Sequence, residues 1–131
     1  MTSLLTAGAS AAGPVSSPDR TLFELVNQAR RRAGLNPLAW DDRLAEAALR
    51  HSQQLASHKS LSHQFRGEPE LAARASAVGA RFSSVGENVA YAPTVSRAHD
   101  GLMHSPPHRA NILHPEFTAI GIAIVPRGDE L

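Results

Sequence analysis

The run FTAIGIAIV, Phe117–Val125, narrows the possible folds more than any other segment. It is β-branched and largely apolar, and it predicts a buried strand. Most of the chain before it is written in helical spacing. Pro18-Asp19 is a helix-start signal; Leu22, Leu25, Val26, Ala29 and Ala33 follow on one face, and Gly34 stops the run. Behind Asp41 and Asp42, which offer an N-cap, Leu44, Ala48, His51 and Leu55 form a second stripe with Ala47 beside it, fading near His58. His51 on that stripe reads as a hydrogen-bonded core histidine. The alanine-rich run Glu70–Ala80 predicts a third helix, Val95–His104 a fourth, and Pro107–Leu113 a short fifth with Ser105 as its cap. Between the third and fourth, residues 81–92 contain GENVAYA, a glycine followed by a short strand-like stretch. The pattern as a whole is α+β.

At 131 residues the chain is long enough for one domain. A chain of this mass buries roughly two-thirds of its unfolded surface, so a core is possible without staples. Cysteine is absent, which excludes disulfides, thiolate nucleophiles and cysteine-ligated zinc. A formal net charge of +1 gives no argument for a nucleic-acid partner. Arg30, Arg31 and Arg32 close the first helix, where positive charge meets the negative helix end, and they read as a solvated terminus. No apolar run approaches the roughly 20 residues of a transmembrane helix. The opening segment, MTSLLTAGASAAGPVSSPDR, carries a signal-peptidase-like Ala9-Ser10-Ala11 after a short apolar piece. Residues 1–18 read as an export-signal remnant or a disordered tail outside the fold, and 19–131 as a single domain.

The candidates for chemistry are His63, Glu87, His104 and His108. The stretch HSPPHRANIL, His104–Leu113, holds two histidines four apart, the spacing that puts two zinc ligands on one helical face. Pro106 and Pro107 break the helix between them, so that simple reading fails. The glutamate of an H-E-x-x-H protease is also missing.

Taken together, the motifs resemble one family. They are Asn27–Asp41 (NQARRRAGLNPLAWD), the helix LAEAALRHSQQLA, Ser62-His63, Gly86–Ala90 (GENVA), Ser105–Leu113 (SPPHRANIL) and Phe117–Ile122 (FTAIGI). In this order and at these separations they are similar to the CAP superfamily, the SCP domain of cysteine-rich secretory, antigen 5 and pathogenesis-related 1 proteins. The likeness is to its bacterial, cysteine-free extracellular branch and covers about residues 20–125. It implies a three-layer α–β–α sandwich around a small antiparallel sheet. It also implies a cleft of two histidines and two acidic residues, which in some members holds zinc or another divalent cation. Carried over by position, the cleft residues are His63, Glu87 and His108, with Ser105 where the second acid is expected. His63, His108 and Glu87 are then the candidate metal ligands, and His104 a bystander. Asn111 is expected to hold its corner by side-chain bonds, and the two prolines to fix His108. Asn27, Arg30, Trp40 and Asn88 match family motifs and read as scaffold. Family members continue past 126–129 into a further strand; here the chain stops at Leu131, so the last strand looks missing and a sheet edge is expected to stand open.

The resemblance implies an extracellular or cell-envelope domain that binds rather than catalyses, with a lipid-like or sterol-like molecule or an envelope component as partner. The alternative is a metal-assisted, peptidase-like hydrolase in the same cleft, with Glu87 as general base.

Overall fold

In the computed structural model the described residues are 2–7, 17–59, 61–80, 86–90 and 92–125. They form nine elements: β1 (Thr2–Ala7), α1 (Ser17–Arg32), β2 (Ala39–Trp40), α2 (Asp42–His58), α3 (Leu71–Ala77), β3 (Gly86–Ala90), α4 (Val95–Met103), α5 (Pro106–Ile112) and β4 (Ala119–Ile124). The sheet order is β2-β4-β1-β3. β1 is antiparallel to both of its neighbours, and the two-residue β2 joins β4 in parallel. Helix α2 covers one face of the sheet, with α3 against it; α1, α4 and α5 cover the other. This is an α–β–α sandwich, as the resemblance implies.

The central strand explains the layering. Along β4, Ile120 and Ile122 pack with Leu22, Val26, Leu102 and Ile112 on the α1–α4–α5 side. Ala119 and Ala123 pack with Leu44, Ala47 and Ala48 of α2. Side chains alternate faces along a strand, so one face carries isoleucine bulk and the other carries almost none. Gly121 lies on the small face, where an added Cβ would overlap the Ala45 amide nitrogen and the Leu44 carbonyl carbon. α2 therefore rests on the strand backbone itself. Its start is fixed by Asp41, whose Oδ1 accepts from the Arg43 and Leu44 amides at 2.8 and 3.2 Å. Its end is fixed by Lys59 in the left-handed conformation, φ 52°.

Polar clamps set the connector between α1 and α2. Asn27 donates to the Leu38 carbonyl at 3.0 Å and accepts from the Leu38 amide at 2.7 Å. Trp40 is buried, edge-on to Phe23, with Nε1 donating to Asp42 at 2.8 Å. Arg30 departs from the solvated helix end read in the sequence: it is 1% exposed. Its guanidinium donates to the carbonyls of Asn36, Ile112, His114 and Phe117 at 2.8–3.2 Å. Burial draws its pKa below the usual arginine value.

The N-terminal reading is corrected. Residues 1–18 were set outside the fold, yet Thr2–Thr6 pairs residue for residue with Gly86–Ala90 on one side and Thr2–Ala7 with Ala119–Ile124 on the other. The reason is backbone hydrogen bonding. The β4 edge expected to stand open offers unpaired N–H and C=O groups, and an extended segment from the other end of the chain satisfies them. Residues 8–16 and 126–131, with the turn beyond β4, lie outside the described residues.

Gly121→Ala should destabilise the fold by about 3 kcal/mol or more, since overpacking costs about 1–3 kcal/mol where neighbours can yield and here they are backbone. Urea unfolding measures this; a midpoint within error of wild type would mean that α2 does not seat on β4 as described.

Candidate functional site

The candidate residues meet where the loop after α2, strand β3 and the start of α5 are hydrogen-bonded together. β3 supplies Glu87, whose side chain is 1% exposed. His63 stands over it, half-exposed, with Nδ1 donating to Glu87 Oε1 at 2.9 Å. A carboxylate acceptor calls for a proton on Nδ1. His108, on the first turn of α5, pairs through Nδ1 with Ser105 Oγ at 2.7 Å. Ser105 occupies the cap position of α5 but makes no side-chain capping bond; its hydroxyl is spent on the histidine.

Asn88 and Asn111 tie the two halves together. Asn88 donates to the His108 carbonyl at 2.9 Å, and Asn111 donates to Asn88 Oδ1 and to the Glu87 carbonyl at 2.9 and 3.1 Å. Asn111 thus holds the corner as expected, with its partners on β3 rather than in its own turn. Gly86 is needed for the same approach, because an added Cβ would meet the Phe117 ring at 2.9 Å and Asn111 Oδ1 at 3.1 Å.

Arg74 of α3 was missed by the sequence reading. It is buried, donating from Nη1 to Glu87 Oε2 at 2.8 Å, from Nη2 to the His63 carbonyl at 2.6 Å, and from Nε to the Pro69 carbonyl at 3.0 Å. A lone arginine inside LAARASA was the available signal, since nothing else in that helix carries charge. His51 was read correctly as a core histidine. It is fully buried, with Nδ1 against Glu68 Oε2 and Nε2 against the Ser62 carbonyl, both at 2.7 Å. It pins the backbone one residue before His63. His104 stands apart, its Nδ1 against the Asp100 carbonyl at the end of α4.

These contacts decide what the cleft offers a metal. Both Glu87 oxygens are engaged, so Glu87 orients His63 from behind instead of reaching outward. Among the described residues no three His, Asp or Glu side chains converge as a cage. Two imidazoles with an arginine close behind fall short of the three or four protein ligands of catalytic or structural zinc. The His108 pKa is lowered by burial and then by the His63 charge. His99 on α4 is lowered by burial, with Asp100 acting in the opposite direction. The His99 Nδ1 is buried and lacks a hydrogen-bond partner.

Residues 23–130 match the cysteine-rich secretory protein family, the CAP domain. The chain belongs to this family. It is 32% identical to the uncharacterized protein YkwD of Bacillus subtilis over 120 residues, which are 91% of this chain and 47% of that one. It superposes on an extracellular protein containing an SCP domain from Bacillus anthracis with a TM-score of 0.80 at 28% identity, covering 88% of this chain and 42% of that one. An outer surface protein from Borrelia burgdorferi shares the fold, with a TM-score of 0.74 at 21% identity and coverage of 84% of this chain and 83% of that one. The chain thus spans less than half the length of YkwD and of the B. anthracis protein. In this CAP domain β1 precedes the matched segment, whereas His63, Glu87, Ser105 and His108 all fall within it.

Arg74→Met should cost about 3–5 kcal/mol, because it leaves the Glu87 carboxylate buried without its partner. Adding Glu87→Met should recover part of that loss, and a double-mutant cycle by chemical denaturation reads the coupling. Additive losses would show that the pair is not coupled. Acid should also weaken the fold. With the pKa values of His99 and His108 depressed below 6.5, the unfolded chain binds protons first, so stability falls as pH drops below that value. Thermal melts from pH 7.5 to 5 should show the decline, and His99→Leu should flatten it; identical profiles would exclude His99 as a source.

Proposed function

We propose that this CAP domain is an extracellular or envelope-associated binding domain for a lipid-like acid, seated between α1 and α4. One observation carries the reading. A groove of about 500 Å³ runs between the two helices, with Leu25, Ala29, Ala33 and Met103 along it, His99 in its wall, and Gln28, Arg32, Asp100 and Arg109 as its polar lining, two guanidinium groups against one carboxylate. Its size lies in the usual range of small-molecule sites. An apolar length flanked by two guanidinium groups suits an acyl chain ending in a carboxylate. An orphaned buried nitrogen calls for an explanation, and His99 presents one in this wall. The extracellular placement is supported by the named locations of the B. anthracis and B. burgdorferi proteins. No helix among the described residues is long and apolar enough to cross a membrane.

Magnitudes say which part of the ligand matters. Each buried methylene contributes about 0.8 kcal/mol, whereas an exposed ion pair contributes about 0–1 kcal/mol. Chain length, rather than the head group, sets affinity.

A second reading, hydrolysis, has one observation in its favour: the 2.7 Å Ser105–His108 bond, which pairs a hydroxyl with an imidazole. Glu87 is a poor base in that reading, because Arg74 and His63 occupy both its oxygens. Divalent cation binding in the cleft rests on the two imidazoles alone.

Labelled fatty acids and a labelled sterol titrated at micromolar protein test the main reading. Fatty-acid binding should saturate, tighten with chain length and vanish in Ala33→Trp, which fills the groove, while His63→Ala with His108→Ala leaves it unchanged. No saturable binding of either probe removes the proposal. Binding lost in the histidine pair but kept in Ala33→Trp would move the site to the cleft. Zinc titration of the same histidine pair against wild type tests the cation, and loss of an ester-cleaving activity in Ser105→Ala tests hydrolysis.

A further inference from the structure

On the opposite helical layer, a second groove of about 390 Å³ lies between α2, the 66–69 turn and α3. Its lining includes Arg50, Gln54, Arg66, Glu68 and Arg74 over a floor of Ala47 and Ala77. Two of these charges are already satisfied inward. Glu68 accepts from the Phe65 amide through Oε1 and pairs with His51 through Oε2. Arg74 is committed to Glu87 and to two backbone carbonyls. What remains for a ligand is positive. Arg66 makes no side-chain bond among the described residues, nor does Gln54. Arg50 is held only by Glu46, one turn away on α2, in a pair exposed on both sides, and such pairs hold weakly.

We propose that this groove is an oxyanion site for a small carboxylate ligand, bound between Arg50 and Arg66 with Gln54 beside it. The guanidinium fork matches the two oxygens of a carboxylate and donates charge-assisted bonds to both. The Gln54 amide can donate and accept, which suits an amide next to that carboxylate, as at the C-terminal end of a short peptide. The Ala47–Ala77 floor leaves room for a small apolar side chain. Arg74 gives the site a route to the cleft: the side chain that lines the groove also holds Glu87 and the backbone of His63.

The test is calorimetric titration at low salt with three probes: trialanine with a free C-terminus, its C-terminal amide, and inorganic phosphate. Trialanine should bind saturably and weaken with added salt. The amide and the Arg66→Gln variant should each lower affinity about tenfold or more. Arg66 is exposed, so Arg66→Gln keeps the fold, and Ala33→Trp on the other layer should leave trialanine binding unchanged. Binding of phosphate without trialanine would overturn the carboxylate assignment. The proposal is overturned if neither acid binds below about 10 mM, if the amide binds as well as the free acid, or if Arg66→Gln binds as wild type does.

Discussion

One buried guanidinium holds the two halves of the molecule in register. Arg30 sits at the end of α1 and reaches carbonyls at Asn36, at the end of α5 and in the turn leading to β4. A charged side chain taken out of water is costly, and neutral carbonyls repay that cost only when several converge on fixed positions. Arginine provides donors in a rigid fork that can meet four acceptors at once, which a lysine cannot. Because Ile112, His114 and Phe117 are held this way, α5 presents His108 and Asn111 to β3 at a set height. The cleft is thus an indirect product of a contact on the far side of the core.

The same economy appears on the other face. Ala119, Gly121 and Ala123 let α2 lie against the strand backbone. From that position α2 buries His51, which fixes the Ser62 carbonyl and so the approach of His63 to Glu87. Each of the two histidines has its Nδ1 engaged, His63 by a carboxylate and His108 by a hydroxyl, so the two rings are oriented by different chemistry. Glu87 joins the parts of this arrangement, with His63 on one oxygen and Arg74 on the other. A cleft built this way is well suited to holding shape.

Much of this was legible along the chain. Local signals fixed the helices: the Asp41 cap, Gly34 after α1, the double proline at the head of α5, and the Leu44–Leu55 stripe whose histidine is buried as its position required. His63, Glu87, Ser105 and His108 could be named because their motifs sit in a recognisable order, and the structure brings them into two hydrogen-bonded pairs around β3.

What the sequence by itself determined is therefore the helices and the buried strand β4, because caps and periodicity are local properties of the chain. Tertiary structure alone decided three things. Arg30 looked like one of three solvated arginines until the carbonyls of a segment some 80 residues away closed around it. Arg74 carried no signal in an alanine-rich helix beyond its charge, and only the fold placed Glu87 of β3 beside it. Thr2–Ala7 looked like a tail until β3 and β4 offered it two ladders. In each case the partner is a backbone group or a carboxylate distant in sequence. Such pairings have no period and no local signature: a carbonyl is the same at every residue, and only the fold determines which of them are left for a guanidinium or a strand to meet.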